Sequence, residues 1–162
     1  MTKWQGDARF LRVVDEHSSA LFHLALLLTG NRADAEDVVQ DSLMAVADRW
    51  STVRKPSSFA YLKRVVANRS MDVLRARRTI PVAELPDRAV TGDSFLRFEE
   101  DQRFFALVNT LPEGQKNTLV LRFFADLDDR AIGRILGCSA QTVRSQASRG
   151  LEKLRRSVEV NR

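Results

Sequence analysis

The sequence predicts an all-α fold: two small helical domains joined by a flexible linker, the second containing a helix-turn-helix. Three observations predict it. Apolar residues recur at helical spacing along nearly the whole chain, and only Thr79–Val82, which contains Pro81, looks extended. Between Ile80 and Asp101 the periodicity lapses. Pro81, Pro86 and Gly92 stand there, with six acids against Arg88 and Arg97, which marks a domain boundary. From Asp129 to Leu154 two helical patterns meet at a glycine corner. The expected division is a domain over 1–79, a linker over 80–101 and a domain over 102–162.

Composition narrows the class. With 44% apolar and 29% charged residues among 162, a packed fold is expected rather than disorder. The net charge of +5 favours an acidic partner such as nucleic acid. The charge is also sorted along the chain. From Arg49 to Arg78 there are nine Lys or Arg against Asp72 alone, and from Ala33 to Asp48 five acids and no base. Such sorting suggests two different contact surfaces. Cys138 is the single cysteine, so no disulfide forms within the chain, and a reducing cytoplasm fits. No apolar run reaches the roughly 18 residues of a membrane span, so no membrane insertion is expected. The first residues, MTKWQGDARFLRVVDEH, are too charged for a secretory signal.

The first helical stretch runs from about Asp7 to Thr29. Phe10, Val13, Val14, Leu21, Leu24, Ala25 and Leu28 form its apolar set, and Gly30-Asn31 closes it. His17 and His23 lack companion ligands and suit solvent or packing roles, so no metal and no cofactor is expected. Asn31 then caps a second helix, with Asp34 in its first turn. At about 100° per residue, Ala35, Val39, Leu43, Val46 and Trp50 share one face. Asp34, Asp37, Asp41 and Asp48 share a roughly opposite one. A solvated surface and a docking face for a basic partner are both open. Like charges at i,i+4 repel, so the stripe stabilises the helix poorly on its own.

Ser51–Ser58 reads as a loop made basic by Arg54 and Lys55. The helix from Phe59 to about Arg78 turns Phe59, Leu62, Val66 and Val73 inward. Tyr61, Arg64, Asn68, Met71 and Arg75 lie toward the other side. An aromatic, guanidiniums and a carboxamide on one strip suit base stacking and phosphate contacts. An ordinary solvated face is the alternative, and the basic end, Arg75–Arg78, favours nucleic acid.

A second domain begins near Phe98. Phe104, Phe105, Leu107 and Val108 continue its first helix to Leu111, and Pro112 breaks it. Leu119, Val120, Leu121 and Phe123 mark the next helix. At about 60 residues its core is marginal, so good packing of its aromatics is expected. In the closing pair of helices, Ala131, Ile132, Ile135 and Leu136 form one stripe. Gly137 ends that helix and Ser139 caps the next. Gly133 is expected to let the second helix cross closely. Val143, Ala147 and Leu154 face inward. This is helix-turn-helix spacing, in which the second helix enters the DNA major groove, although a plain helical hairpin has the same pattern.

Taken together, LTGNRADAEDVVQDSLMAVADRW, the basic loop, FAYLKRVVANRSMDVLRARR and LPEGQKNTLVLRFFADLDDRAIGRILGCSAQTVRSQASRGLEKLR resemble the extracytoplasmic-function sigma factors of bacterial RNA polymerase, in their sigma-E-like subfamily. The resemblance covers nearly the whole chain in the family's order. It implies a promoter-specificity subunit, not an enzyme, with region two in the first domain and region four in the second. By the same resemblance Asp34, Asp37, Gln40 and Asp41 dock on the β′ clamp helices of core RNA polymerase. Arg54, Lys55, Tyr61, Arg64, Asn68 and Arg75 meet the minus-ten element of promoter DNA, where a base is flipped, with Arg77 and Arg78 available to phosphates. Gln141, Thr142, Arg144, Ser145, Ser148 and Arg149 meet the minus-thirty-five element. The linker then sets the span between them. The β flap and an anti-sigma factor are further implied partners. Departures are Ala131-Ile132-Gly133, where many members have Glu-Ile-Ala, and Gln146, where many have Arg or His. Gly133 keeps the small side chain at a cost of about 1 kcal/mol in helix propensity against Ala, and Gln146 bears on the promoter sequence read rather than the mode of binding. Cys138 at the turn reads as a small packed residue, since no second thiol could resolve a sulfenate.

Two other functions compete. A stand-alone helix-turn-helix regulator explains the second domain but leaves the acidic and basic helices of the first without a role. A nucleic-acid enzyme would need Asp34, Asp37 and Asp41 to hold Mg²⁺. One regular exposed helical face rarely converges several ligands on one ion, and no base or nucleophile stands nearby.

Overall fold

The computed structural model describes residues 7–53, 57–78 and 99–161. Among them are seven α-helices, one 3-10 turn and no strand, so the fold is all-α as expected. The chain divides into two compact units, Met1–Val90 and Thr91–Arg162. The extended look of Thr79–Val82 and most of the expected linker fall outside the described residues. No helix among the described residues is long and apolar enough to cross a membrane.

Unit one packs α1 (Ala8–Thr29), α2 (Arg32–Asp48) and α3 (Ser58–Arg78) each against the other two. Asp7 opens α1 by accepting from the Arg9 and Phe10 N–H groups at 2.9 and 3.2 Å. Gly30, at φ 78°, ends it in the left-handed region and donates to the Leu26 carbonyl at 2.9 Å. The last turns of α1 are buried all round, from Leu24 to Thr29, because α2 and α3 cover two sides at once. Leu21, Leu24 and Leu28 are buried almost completely, each contributing about 1.5–3 kcal/mol of transfer free energy. Val13 and Val14, nearer the open end, are half-buried.

That two-sided contact also rotates the buried arc of α2. Ala35, Val38, Ser42, Val46 and Ala47 are buried, while Val39 and Leu43, expected inward, sit half-buried at its margin. On α3, Leu62, Lys63, Val66, Ala67, Ser70 and Met71 are buried. Met71 therefore belongs to the core and not to the outer strip. Phe59 is half-buried and stacks on His17, with ring centroids 3.8 Å apart and planes 9° apart. His17 thus has a packing role, and the Lys63 ammonium lies 4.5 Å over the same Phe59 ring.

Unit two contains α4 (Glu99–Asn109), α5 (Glu113–Phe123), α6 (Asp129–Leu136) and α7 (Ala140–Val160). Helix α7 packs on each of the other three. The core is largely aliphatic: Val108, Leu111, Leu119, Val120, Leu121, Leu127, Ile132, Ile135, Val143 and Ala147, with Phe105. The expected aromatic core is not what forms. Phe104 and Phe124 are 39% and 37% exposed and tilt against each other at 5.3 Å, and Phe123 is 57% exposed. Lys116 is partly buried between α4 and α5 and donates to Asn109 Oδ1 at 2.8 Å. Burial pushes its ammonium below the usual lysine range, partly offset by Glu113.

Candidate nucleic-acid and partner interfaces

The corner between α6 and α7 is built from caps. Asp128 Oδ1 accepts from the Ala131 N–H at 2.8 Å and starts α6. Gly137, at φ 72°, ends it, and its N–H and that of Cys138 both reach the Gly133 carbonyl. Ser139 Oγ accepts from the Thr142 N–H at 3.1 Å and starts α7. Gly133 does permit a close approach, but of the turn rather than of the second helix. A Cβ there would lie 2.6 Å from the Cys138 carbonyl oxygen. The tight helix crossing is at Gly150, where a Cβ would meet Leu119 Cδ1 at 2.9 Å. Nothing in the apolar periodicity singles Gly150 out, because glycine is silent in that pattern. Cys138 is a half-buried free thiol whose backbone forms the turn.

Helix α7 turns Val143, Ala147 and Gly150 inward and leaves Gln141, Thr142, Arg144, Ser148 and Arg149 exposed, with Ser145 half-buried. These side chains are not equally free. The Thr142 hydroxyl lies 3.0 Å from Ser139 Oγ, and Arg144 donates to Gln141 Oε1 at 2.9 Å. Asp129, opening α6, pairs with Arg122 on α5 through one carboxylate oxygen. Its other oxygen is 3.7 Å from Arg144. Asp129 thus holds the arginine that the sequence offered as a base reader, and sequence reasoning gave Asp129 no such role. Ser148 and Arg149 make no hydrogen bond or ion pair among the described residues.

On α2, Asp37, Gln40 and Asp41 are exposed and likewise unpaired among the described residues. Met44, 56% exposed, continues the same face toward exposed Asp48. Sequence patterning did not single out Met44, because an apolar residue on a charged face breaks no periodic pattern. Asp34 departs from this set. Its carboxylate accepts from Asn31 Nδ2 at 2.9 Å, while Asn31 Oδ1 accepts from the Asp34 N–H at 2.8 Å. The same carboxylate pairs with Arg77, whose Nη1 donates to the Thr29 carbonyl at 2.7 Å. Arg77 is therefore turned inward, tying the end of α3 to the α1–α2 corner, and is withdrawn from the phosphate contacts expected of it.

Along α3, Arg64, Asn68 and Arg75 are exposed on one side. Asn68 Nδ2 donates to the Arg64 carbonyl at 3.0 Å, and Arg75 pairs with Asp72 at 3.0 Å. Tyr61 is half-buried and lines a groove with Asp48, Arg49 and Arg69, two cations the sequence reading did not assign. Arg54 and Lys55 lie outside the described residues. The chain just before them is anchored, however. Arg9 donates to the carbonyls of Trp50 and Val53 at 3.1 and 3.4 Å and lies 4.4 Å over the Trp50 ring. Phe10 meets Trp50 edge-on at 5.1 Å. Among the described residues no group of His, Cys, Asp and Glu side chains is arranged to hold a metal ion.

Comparison with known proteins bears on both units. The model for Sigma-70 region 2 matches residues 13–80, and that for Sigma-70, region 4 matches residues 101–154. An RNA polymerase sigma-E factor of Streptomyces avermitilis is 31% identical over 153 residues, covering 93% of this chain and 85% of that protein. The sigma-E factor of Streptomyces coelicolor is 30% identical over 149 residues, 90% of this chain and 84% of that one. Among solved structures, the fold is similar to the sigma factor RpoE of Bartonella quintana in its complex with the anti-sigma factor NepR. There the TM-score is 0.63 at 23% identity, over 94% of this chain and 98% of that chain.

Proposed function

Since the chain belongs to the extracytoplasmic-function sigma factors of the sigma-70 family, we propose that its unpaired charges mark its working surfaces: the α2 face for core RNA polymerase, α3 and α7 for promoter DNA. The protein directs promoter-specific transcription initiation as a subunit of RNA polymerase, and the family is one of initiation factors. The observation that carries the reading of α2 is the exposed, unpaired set Asp37, Gln40 and Asp41 around Met44. An acidic rim about an exposed apolar anchor suits a basic protein surface such as the β′ clamp helices. Asp34 supports this face from behind by fixing the start of α2.

In α3, Arg64 and Asn68 contact the minus-ten element from the exposed side, with Tyr61 beside them and Arg75 on the backbone, and Arg54 and Lys55 contribute to the same element. In α7, the unpaired Arg149 faces the minus-thirty-five bases. Gln141 and Arg144 read bases only by exchanging their mutual hydrogen bond and the Asp129 contact for DNA, and Thr142, Ser145 and Ser148 reach bases or phosphates. The exposed Phe104, Phe123 and Phe124 supply apolar surface for the β flap. An anti-sigma factor is a further partner, as for the Bartonella protein, and a polymerase subunit acting at chromosomal promoters would do so in the cytoplasm.

One reconstitution tests this. With core polymerase, the wild type should form open complexes at promoters recovered by genomic run-off. Asp37→Lys with Asp41→Lys should weaken core binding and leave the unfolding midpoint unchanged. Arg149→Ala should keep core binding and lose promoter discrimination. Unimpaired core binding by the double variant would overturn the α2 assignment. Tight specific duplex binding by the free chain would favour a stand-alone regulator.

A further inference from the structure

We propose that Arg130 and Arg134 on α6, together with the amino end of α7, form a clamp for the phosphate backbone of the upstream promoter duplex. The proposal rests on the reading of α7 as the helix that enters that duplex. Arg130 and Arg134 are both exposed and one turn apart, so their guanidiniums share a face. With Gly133, Gly137, Cys138, Ser139 and Ala140 they line one open recess at the helix-turn-helix corner.

Several neighbouring arginines of this unit are already engaged. Arg122 and Arg144 are held by Asp129, Arg155 by Glu152 and Glu159, and Arg156 by Glu152. Among the described residues Arg130 and Arg134 make no ion pair or hydrogen bond. Two like charges one turn apart repel, and an anion placed between them reverses the sign. The opposite wall favours the same occupant. Ser139 takes up the Thr142 and Val143 N–H groups, whereas the Ala140 and Gln141 N–H groups have no acceptor within the helix. Gly133 and Gly137 put no side chain between the two walls.

Guanidinium forks and backbone N–H groups converging on an open recess select a tetrahedral oxyanion presented on a surface, which is how a DNA phosphodiester is displayed. The position agrees with the geometry of the motif, in which the first helix crosses the backbone while the second enters the groove. Ala140, in the first turn of α7, lines the recess, so a phosphate seated there would fix the register of the helix that reads bases. The clamp itself carries no sequence preference.

The test uses holoenzyme made with the full chain, on a promoter duplex recovered by genomic run-off and on a copy with its upstream element scrambled. Affinity is measured against salt for the wild type, for Arg130→Ala with Arg134→Ala, and for the double lysine variant. Each phosphate contact contributes about 0.9 to the slope of log affinity against log salt. The alanine variant should therefore lose about 1.8 of slope. Its affinity deficit should shrink about 12-fold between roughly 50 and 200 mM salt, while the ratio of native to scrambled binding holds. The lysine variant should keep the slope. An unchanged slope in the alanine variant would overturn the clamp and leave an acidic protein surface as the occupant to seek. A slope loss accompanied by collapse of the native-to-scrambled ratio would also overturn it, since that marks base reading. No sequence-dependent binding by wild-type holoenzyme would overturn the reading of α7 and the clamp with it.

Discussion

Replacing Asp34 by alanine separates a fold role from a partner role. The structure gives its carboxylate two tasks, accepting from Asn31 Nδ2 at 2.9 Å and pairing with Arg77. Its own N–H stays capped by Asn31 Oδ1 in the variant, so the main cap survives. The lost half of the capping arrangement and the lost charge at the start of α2 together cost about 1 kcal/mol. Removing one member of a fully buried ion pair costs about 3–5 kcal/mol. Here the side chains remain 15% and 22% exposed, and Arg77 keeps its 2.7 Å bond to the Thr29 carbonyl. Solvent screening and that remaining bond reduce the term to about 1–2 kcal/mol. The expected total is about 2–3 kcal/mol.

Both tryptophans, Trp4 and Trp50, belong to unit one, so tryptophan fluorescence during urea or thermal unfolding reads that unit. The midpoint should fall by on the order of 10–20 °C for a unit of this size. Arg77→Ala should fall by a similar amount, and the double variant by clearly less than the sum, since the two share one interaction. Core-polymerase binding by Asp34→Ala, measured well below its midpoint, should stay within about twofold of wild type. An unchanged midpoint with lost core binding would refute the structural role and return Asp34 to the docking face.

Three further outcomes follow from unit two. Gly133→Ala gains about 1 kcal/mol of helix propensity but sets a Cβ 2.6 Å from the Cys138 carbonyl oxygen; overpacking of this kind costs about 1–3 kcal/mol. A net loss of about 1 kcal/mol is expected in the far-UV transition that tryptophan fluorescence does not see, and a gain would show that the turn gives way freely. Asp129→Ala should cost that transition about 1 kcal/mol, more than Arg144→Ala, because Asp129 also holds Arg122; equal losses would remove the Arg122 contact from the account. Lys116 binds its proton more weakly when folded, so the folded unit releases it first as the pH climbs toward 10.5. Stability of unit two should rise with pH in that alkaline window, and Lys116→Met should abolish the rise. A rise that persists in the variant would assign it to another group.

The helices themselves were legible because periodicity, caps and breakers agreed. Asp7, Gly30, Asn31, Gly137 and Ser139 fall at helix ends where their backbone and side-chain chemistry puts them. The facing was less legible. A single helical wheel has one inward direction, whereas α2 is covered by two neighbours, so Val38, Ser42 and Ala47 entered the core ahead of Val39 and Leu43. Met71 and Arg77 were misplaced on α3 for a related reason. The wheel assigns an angle but not the side chain's reach, and Arg77 is long enough to turn back to Thr29 and Asp34. Ion pairing across elements, as at Asp129, leaves no trace in local sequence at all.

What pairing does to a charged residue decides more than where periodicity puts it. Asp34, Arg77, Asp129 and Arg144 all lie on positions that sequence patterning offers or could offer to a partner, yet the fold engages each one. Asp37, Asp41, Arg130, Arg134 and Arg149 share those helices and are left without a partner among the described residues. Two of these sets are like charges one turn apart, Asp37 with Asp41 and Arg130 with Arg134, an arrangement that costs a helix about 0.2–0.5 kcal/mol each. Local rules broken without any gain inside the fold point to gains outside it. The signs then separate the occupants: the carboxylate pair on unit one requires a basic surface, and the guanidinium pair on unit two an acidic one. Binding at both should weaken as salt rises, because each contact replaces mobile ions by a fixed countercharge.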